Sequence, residues 1–369
     1  MRFDFVPNWD VPEEITEEDK VVRKILKDNY TSEAWRCMNL TCLCPYFDGR
    51  IENSTNKCIL PSGKILTKSI RREYRTLSDE ERNIYHKAVR NLMENGLFDE
   101  ISMVHYRVVS INEAHSKPEF WIWHRHYIKS LEIELRKINP EISLPYWDST
   151  MDQNLPNSHD SIMWTDEFIG RTDENGTVIS GPGAYWVTLN GHLLTRRTNF
   201  KSFGLFHEAD IKYVLGESQL GMPRRPKIDN CGKQLEFLEI MHGDPHHYVG
   251  GAMDALITAA NDPIFFLHHC FVDLIWELWR QQKNPNCHLI GLIDDDIDET
   301  YEYAPRPTCT KESPNCGSKY LFCDQSKKLP QCSVKVQLGG ICKGLKNENQ
   351  PCISEQCIEG ICQYKPFKS

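Results

Sequence analysis

The sequence predicts a mainly α-helical core with long irregular loops, a short hairpin and a small disulfide-rich module at its C-terminal end. Three observations carry that expectation. Several segments place apolar residues at helical spacing and bear helix start and stop signals. Between Pro145 and about Leu215 the chain is instead rich in turn formers. Residues 309–362 hold eight cysteines and few large apolar residues, too little to bury a core without crosslinks.

The elements follow in order. Residues 1–60 are acidic and irregular, with Cys37, Cys42, Cys44 and Cys58, and CMNLTCLC reads as a loop tied by disulfides. The Cys-x-Cys spacing would also suit zinc, but no Cys/His pair follows at ligand spacing. The first helix starts at Ser78, where Ser78-x-x-Glu81 is a capping box, and Ile84, Ala88, Leu92 and Met93 form its apolar stripe. Asn95-Gly96 ends it. A second helix carries Phe98 to about Val109, and a third runs from about Phe120 to Ile138, before Pro140. Asn175-Gly176 reads as the turn of the hairpin. Helix returns over about Glu236–Tyr248 and from about Pro263 to Gln282. Composition shifts again near Thr300. The expected units are residues 1–69, a disulfide-tied extension; 70–300, the helical core; and 301–369, the cysteine-rich module.

Composition excludes some classes. The net charge is −9 and no basic stripe exists, since Arg71-Arg72 and Arg224-Arg225 are too short to form one; nucleic acid is not an expected partner. No run of 18 apolar residues is present, so no membrane span is expected. The longest apolar stretch, Pro263 to Trp279, is broken by His268, His269, Asp273 and Glu277. Fifteen cysteines and four sequons, at Asn29, Asn39, Asn53 and Asn175, together predict a secreted glycoprotein. MRFDFVPNWDVPEE has no apolar h-region, so the expectation is a mature chain without its signal peptide.

Histidine spacing carries the chemistry. His242 and His246 are i, i+4, about 40° apart on one helix face, a good pair of metal ligands. His115 and His124 are nine apart, and one continuous helix would set them on opposite faces. Pro118 restricts Lys117 and suits a helix start, so His115 can lie in a loop with His124 on the helix behind it. His105 would come from the preceding helix. His268-His269 is ambiguous by itself, because adjacent helical residues point about 100° apart and only one can face a metal. Three neutral imidazoles per site, with no carboxylate or thiolate at matching spacing, suit copper best.

Two longer patterns stand out, and the second favours His269 as the last ligand. His115, Phe120, Trp123-His124-Arg125 and Glu132 form the first. Asp262-Pro263-x-Phe265-Phe266-x-x-His269-x-x-x-Asp273 forms the second. Both resemble the signatures of the type 3 copper proteins: tyrosinases, catechol oxidases and molluscan haemocyanins. His242-x-x-x-His246 with Gly250-Gly251 behind it is similar to the family's other motif. The resemblance covers roughly residues 70–285 and is closest to secreted invertebrate tyrosinases. It implies a four-helix bundle holding two copper ions, one on His105, His115 and His124, the other on His242, His246 and His269. It further implies an oxidase that uses O2 to take a catechol to an o-quinone, or first hydroxylates a phenol ortho to its hydroxyl. The substrate would be a phenol or catechol, free or protein-bound.

Departures qualify the expectation. Many relatives carry a cysteine two residues before the second ligand, forming a thioether to a histidine; Glu113 stands there, so no such crosslink is expected. Many phenol-hydroxylating members carry Asn directly after the fourth ligand and, with a nearby Glu, hold a water that deprotonates the phenol. Gly243 takes that place here, while Glu239 stands three residues before the ligand. His247, next to the fifth ligand, is a candidate base in its stead. Catechol oxidation is therefore expected to exceed phenol hydroxylation. Arg125 and Asp273 read either as a buried pair locking two helices or as surface charges, and Cys270 as a buried free thiol. His126, His247 and His268 read as pocket residues rather than ligands. Two rival readings stand beside the oxidase: a haemocyanin-like oxygen binder, and a matrix protein with a non-catalytic copper site.

Overall fold

A computed structural model describes residues 33–110, 114–116, 120–197, 203–216, 231–282, 298–346, 350–354 and 356–364. Its main helices are α1 (Asp79–Glu94), α2 (Leu97–Ser110), α3 (Phe120–Ile138), α4 (Glu208–Val214), α5 (Cys231–Val249) and α6 (Ile264–Gln281). α1 begins as its sequence dictates. The Ser78 hydroxyl accepts the Glu81 N–H, and the Glu81 carboxylate accepts the Ser78 N–H. It ends at Asn95, followed by Gly96 at φ 85°. α4 is absent from the sequence expectation because seven residues are too few for a periodic signal. CMNLTCLC is also more than a loop. Asn39 caps a one-turn helix, Leu40–Leu43, by accepting the Cys42 N–H at 2.9 Å. The disulfides Cys37–Cys42 and Cys44–Cys58 tie it down.

α6 is the spine of the core. Every residue from Ile264 to Trp276 is buried, so this helix is covered on all sides. α3 packs along it, with Phe120, Trp121, Ile128, Leu131 and Leu135 buried in the same cluster. Burial on this scale supplies the main driving force for the fold. The chain also buries charge. Arg71 pairs with Glu132 at 2.7 Å, and Arg196 with Asp262 at 2.7 Å. Arg125 and Asp273 do pair, at 2.7 Å, and so join α3 to α6. Each guanidinium has several partners, which offsets its desolvation.

Strands are few and short. β1 (Arg50–Glu52) and β2 (Lys57–Ile59) form an antiparallel ladder beside the N-terminal disulfides. β3 (Ser69–Arg71) and β4 (Tyr301–Tyr303) pair in parallel, stitching the end of the core to its beginning. The expected hairpin at Asn175-Gly176 is reduced to an antiparallel bridge between Thr172 and Val178, with Gly176 at φ 85°. In the C-terminal region β5 (Leu321–Asp324) pairs with β6 (Gln331–Val334), and β7 (Gln356–Ile358) with β8 (Ile361–Gln363), both antiparallel. Four disulfides hold it: Cys309–Cys323, Cys316–Cys332, Cys342–Cys357 and Cys352–Cys362. The region rests on the core by specific bonds. Arg306 reaches Asp148 and Glu208, each at 2.7 Å. The Tyr320 hydroxyl donates to Asp79 at 2.6 Å, and the Ile162 N–H donates to the Lys335 carbonyl at 3.1 Å. Among the described residues, no helix is long and apolar enough to cross a membrane.

Candidate metal centre

Four helices and one loop bring six histidines together. α2 supplies His105, the bend after it His115, α3 His124, α5 His242 and His246, and α6 His269. Within each set of three, one nitrogen from every ring lies within 4.8 Å of the others. All six side chains are buried. The sets adjoin: the His124 and His269 rings stack at 4.5 Å between centroids, and Phe120 lies 4.8 Å from His242. Lys117, Pro118 and Glu113 fall outside the described residues, so the expectations placed on them concern sequence alone.

The helices do this for local reasons. His242 and His246 share a face of α5 by their spacing. α5 then stops at a glycine pair where another backbone comes close. A Cβ on Gly251, at φ 58°, would meet the Thr195 carbonyl oxygen at 1.9 Å, so only glycine fits. On α6, Asp262 sets the start. Its carboxylate accepts the Ile264 N–H at 3.1 Å while pairing with Arg196. His269 follows five residues on, facing α3, and its neighbour His268 turns elsewhere. The His268 Nε2–H donates to the His242 carbonyl at 2.9 Å, and its ring lies parallel to His242 at 6.0 Å.

The ring nitrogens divide into two kinds. Nδ1 of His124 bonds the Phe120 carbonyl at 2.8 Å, Nδ1 of His246 the Met253 carbonyl at 3.1 Å, and Nδ1 of His242 the Glu239 carbonyl. A carbonyl on Nδ1 fixes the tautomer that leaves Nε2 bare, the usual arrangement behind a metal-bound imidazole. Nε2 of His124 and both nitrogens of His105 are buried without a hydrogen-bond partner. Such groups are costly unless something binds them. Burial pushes His115 down to about 3 and His242 to about 4, and holds His105, His124, His246 and His269 well below the usual imidazole range. All six are therefore neutral near pH 7, the state a metal requires. A soft-to-borderline all-imidazole donor set fits a pair of copper ions. Two other clusters of three, Cys309, Cys316, Cys332 and Cys342, Cys352, Cys362, have their sulfurs in disulfides and offer no thiolate.

The residues expected to handle protons sit around α5. Glu239 is half-buried, its carboxyl pushed up by burial, and its Oε1 accepts the Ser116 N–H at 2.5 Å. Around Gly243 an added Cβ would meet nothing within 4 Å. The His247 Nδ1 pairs with Asp254 at 2.6 Å, and its ring leans on Phe203 at 4.5 Å. His126 packs against Trp35 at 5.1 Å, outside the cluster. Cys270 is a buried free thiol, pushed up to about 12 by burial. Sequence reasoning missed the packing that holds the rings. Phe265 stacks on His269 at 4.1 Å, and the Phe120 ring lies tilted against His124 at 4.3 Å. Both phenylalanines belong to the two longer sequence patterns, so the signal was present without its role. The Met253 carbonyl left no signal, because it is backbone.

The chain is similar to known proteins over much of its length. A tyrosinase-like protein of Caenorhabditis elegans is 39% identical over 371 residues, covering 90% of this chain and 52% of its own length. The chain thus spans about half the length of that relative. Tyrosinase of Streptomyces glaucescens is 30% identical over 248 residues, covering 62% of this chain and 89% of its own. Among solved structures, polyphenol oxidase of Thermothelomyces thermophila superposes with a TM-score of 0.45 at 19% identity, over 71% of this chain and 77% of the other. The family described as the common central domain of tyrosinase matches residues 95–282, just over half of the chain. That span runs from the start of α2 to the end of α6 and takes in all six histidines, and the chain belongs to the tyrosinase family of type 3 copper proteins.

Proposed function

We propose that this chain oxidises catechols to o-quinones with dioxygen, and hydroxylates monophenols more slowly. The observation that supports it most is the pair of buried histidine triads whose bare nitrogens converge. His105, His115 and His124 would hold one copper, and His242, His246 and His269 the other. When bound, the copper pair supplies the electron transfer between phenol and dioxygen. The protein's own part is to hold the rings still and exclude water. Carbonyls fix the tautomers of His124, His242 and His246, and Phe120 and Phe265 pack against the rings of His124 and His269. Oxidising two catechols to two o-quinones reduces one dioxygen to two waters, and the four phenolic hydrogens balance. A monophenol must in addition lose its proton to a base within reach. Here the positions named for that task support it weakly. Gly243 offers no side chain, one oxygen of Glu239 accepts a backbone N–H, and the His247 Nδ1 pairs with a carboxylate.

We further propose secretion, which the six described disulfides and the exposed sequon residues Asn39, Asn53 and Asn175 support; Asn29 lies outside the described residues. Residues 1–69, 70–300 and 301–369 are proposed as its units, the last held to the core through β4 and Arg306. Copper analysis and oxygen uptake test the reading together. The expected result is two coppers per chain, rapid uptake with a catechol and slower uptake with its monophenol. Loss of both on His246→Ala is expected too. Full catechol turnover by that variant would overturn the ligand assignment. Two coppers with reversible O2 binding and no turnover would favour the oxygen binder, and two coppers with neither the matrix protein.

A further inference from the structure

We infer that Glu239 is a positioning residue that ties the two histidine triads together by hydrogen-bond geometry. The inference rests on the dicopper reading above. Glu239 makes two contacts in opposite directions. Its carboxylate Oε1 accepts the backbone N–H of Ser116, directly after His115, at 2.5 Å. Its backbone carbonyl accepts the Nδ1–H of His242. One residue of α5 thus holds a ligand of each triad, the first through its side chain and the second through its main chain.

The two ligands need this help unequally. His105, His124, His242, His246 and His269 stand on helices, whose own ladders fix the backbone that carries them. His115 stands in a bend with no such ladder. The next residue, Ser116, has φ 57°, the left-handed region that costs a residue with a Cβ steric energy. Such a conformation persists when its surroundings fix it. Among the described residues, the bond from Ser116 to Glu239 is the hydrogen bond that ties 114–116 to another element. An N–H donating to a carboxylate is also among the stronger bonds available. A water-orienting role would want a polar neighbour one residue past His242, and that place is Gly243, with open space around it.

The test compares the intact chain with Glu239→Gln and Glu239→Ala. Glutamine keeps an acceptor for Ser116 and is no base; alanine keeps neither function. Copper per chain is measured against rising concentrations of a copper chelator, with no substrate present. The unmodified chain and Glu239→Gln should hold two coppers alike. Glu239→Ala should give up one of its two at roughly tenfold lower chelator, the scale of one lost charge-assisted bond. Adding Ser116→Gly, which relieves the left-handed backbone, should restore part of that retention, and a positional role alone predicts such rescue. If Glu239→Ala melts with the unmodified chain, its copper loss is local. If it fails to fold, Glu239→Gln still decides, because a base role requires it to hydroxylate phenols far more slowly while holding both coppers. That result, or two coppers held equally by all variants, overturns the inference alone. An unmodified chain that binds no copper pair overturns the dicopper reading and this inference with it.

Discussion

The helical core and the C-terminal region hold themselves together by opposite means. In α6 an unbroken run from Ile264 to Trp276 is buried, and its neighbours come from distant parts of the chain. Beyond residue 305 the strands are three or four residues long, and disulfides spanning 10 to 16 residues do the holding. The difference follows from what each part must do. Six imidazoles need fixed positions relative to one another, which interlocked packing supplies at native density. A region with few large apolar residues cannot reach that density and crosslinks instead. It also needs docking points, which Arg306 and Tyr320 provide.

The largest effect expected is on the core's buried charges. Asp273 accepts from Arg125 and from the Tyr303 hydroxyl, and lies 3.5 Å from Arg71. Asp273→Ala would take a buried carboxylate from Arg125, which keeps Glu277, and from Arg71, which keeps Glu132, and should cost about 3–5 kcal/mol. Chemical denaturation measures it. A loss below about 1 kcal/mol would mean that packing alone joins α3 to α6.

Removing a crosslink tests the other side. Cys316→Ala with Cys332→Ala opens a disulfide of sequence separation 16 and should cost the C-terminal region about 3 kcal/mol. Hydrogen exchange should rise across β5 and β6 while α6 stays protected. Equal loosening of α6 would show that the two regions unfold as one.

Acid should sharpen the contrast. In the metal-free chain burial holds His86 and His115 near 3 and His242 near 4, against about 6.5 when unfolded. The unfolded chain therefore binds protons that the folded chain refuses. Stability from these groups is fully present above about pH 6.5 and is lost as pH falls toward 4, by about 1.4 kcal/mol per unit for each histidine. Residues 301–369 contain no histidine. Exchange measured at pH 7 and pH 5 should loosen the core and spare β5–β8; loosening of both alike would refute the contrast.

The core was more legible in the sequence than the C-terminal region, for the same physical reason. α1, α2, α3 and α6 repeat apolar residues at helical spacing, and their ends carry Ser78, Asn95-Gly96 and Pro263. Of the histidines, His242 and His246 were legible from helix spacing alone, while the two full sets, and His269 over His268, came from the longer patterns that resemble the type 3 copper signatures. β3 and β4 were not legible, since a three-residue pairing across more than 200 positions has no periodic trace. Nor was Arg71, which the sequence shows only as half of a short basic pair and which is wholly buried between Glu132 and Tyr301. Disulfide partners cannot be read from spacing when eight cysteines crowd into a short stretch.

The smallest effect should leave both regions equally stable and change only the chemistry. Gly243 follows His242 on α5, and an added Cβ there meets nothing within 4 Å. Gly243→Asn therefore introduces a side chain without a clash, and a helix interior favours Asn slightly over Gly. Its amide could orient a water toward a bound phenol, a function no other side chain at this position performs. Catechols gain little, because the second hydroxyl makes them more acidic and lets them bind both metals. The ratio of monophenol to diphenol rates should rise about threefold to tenfold, roughly 1 kcal/mol of differential barrier. Oxygen uptake on a matched pair of substrates, with copper content checked for each protein, measures it. If the unmodified chain already hydroxylates the monophenol as fast as it oxidises the catechol, Gly243 is not what limits proton removal. An unchanged ratio in the variant would mean the same and would return the search for a base to His247.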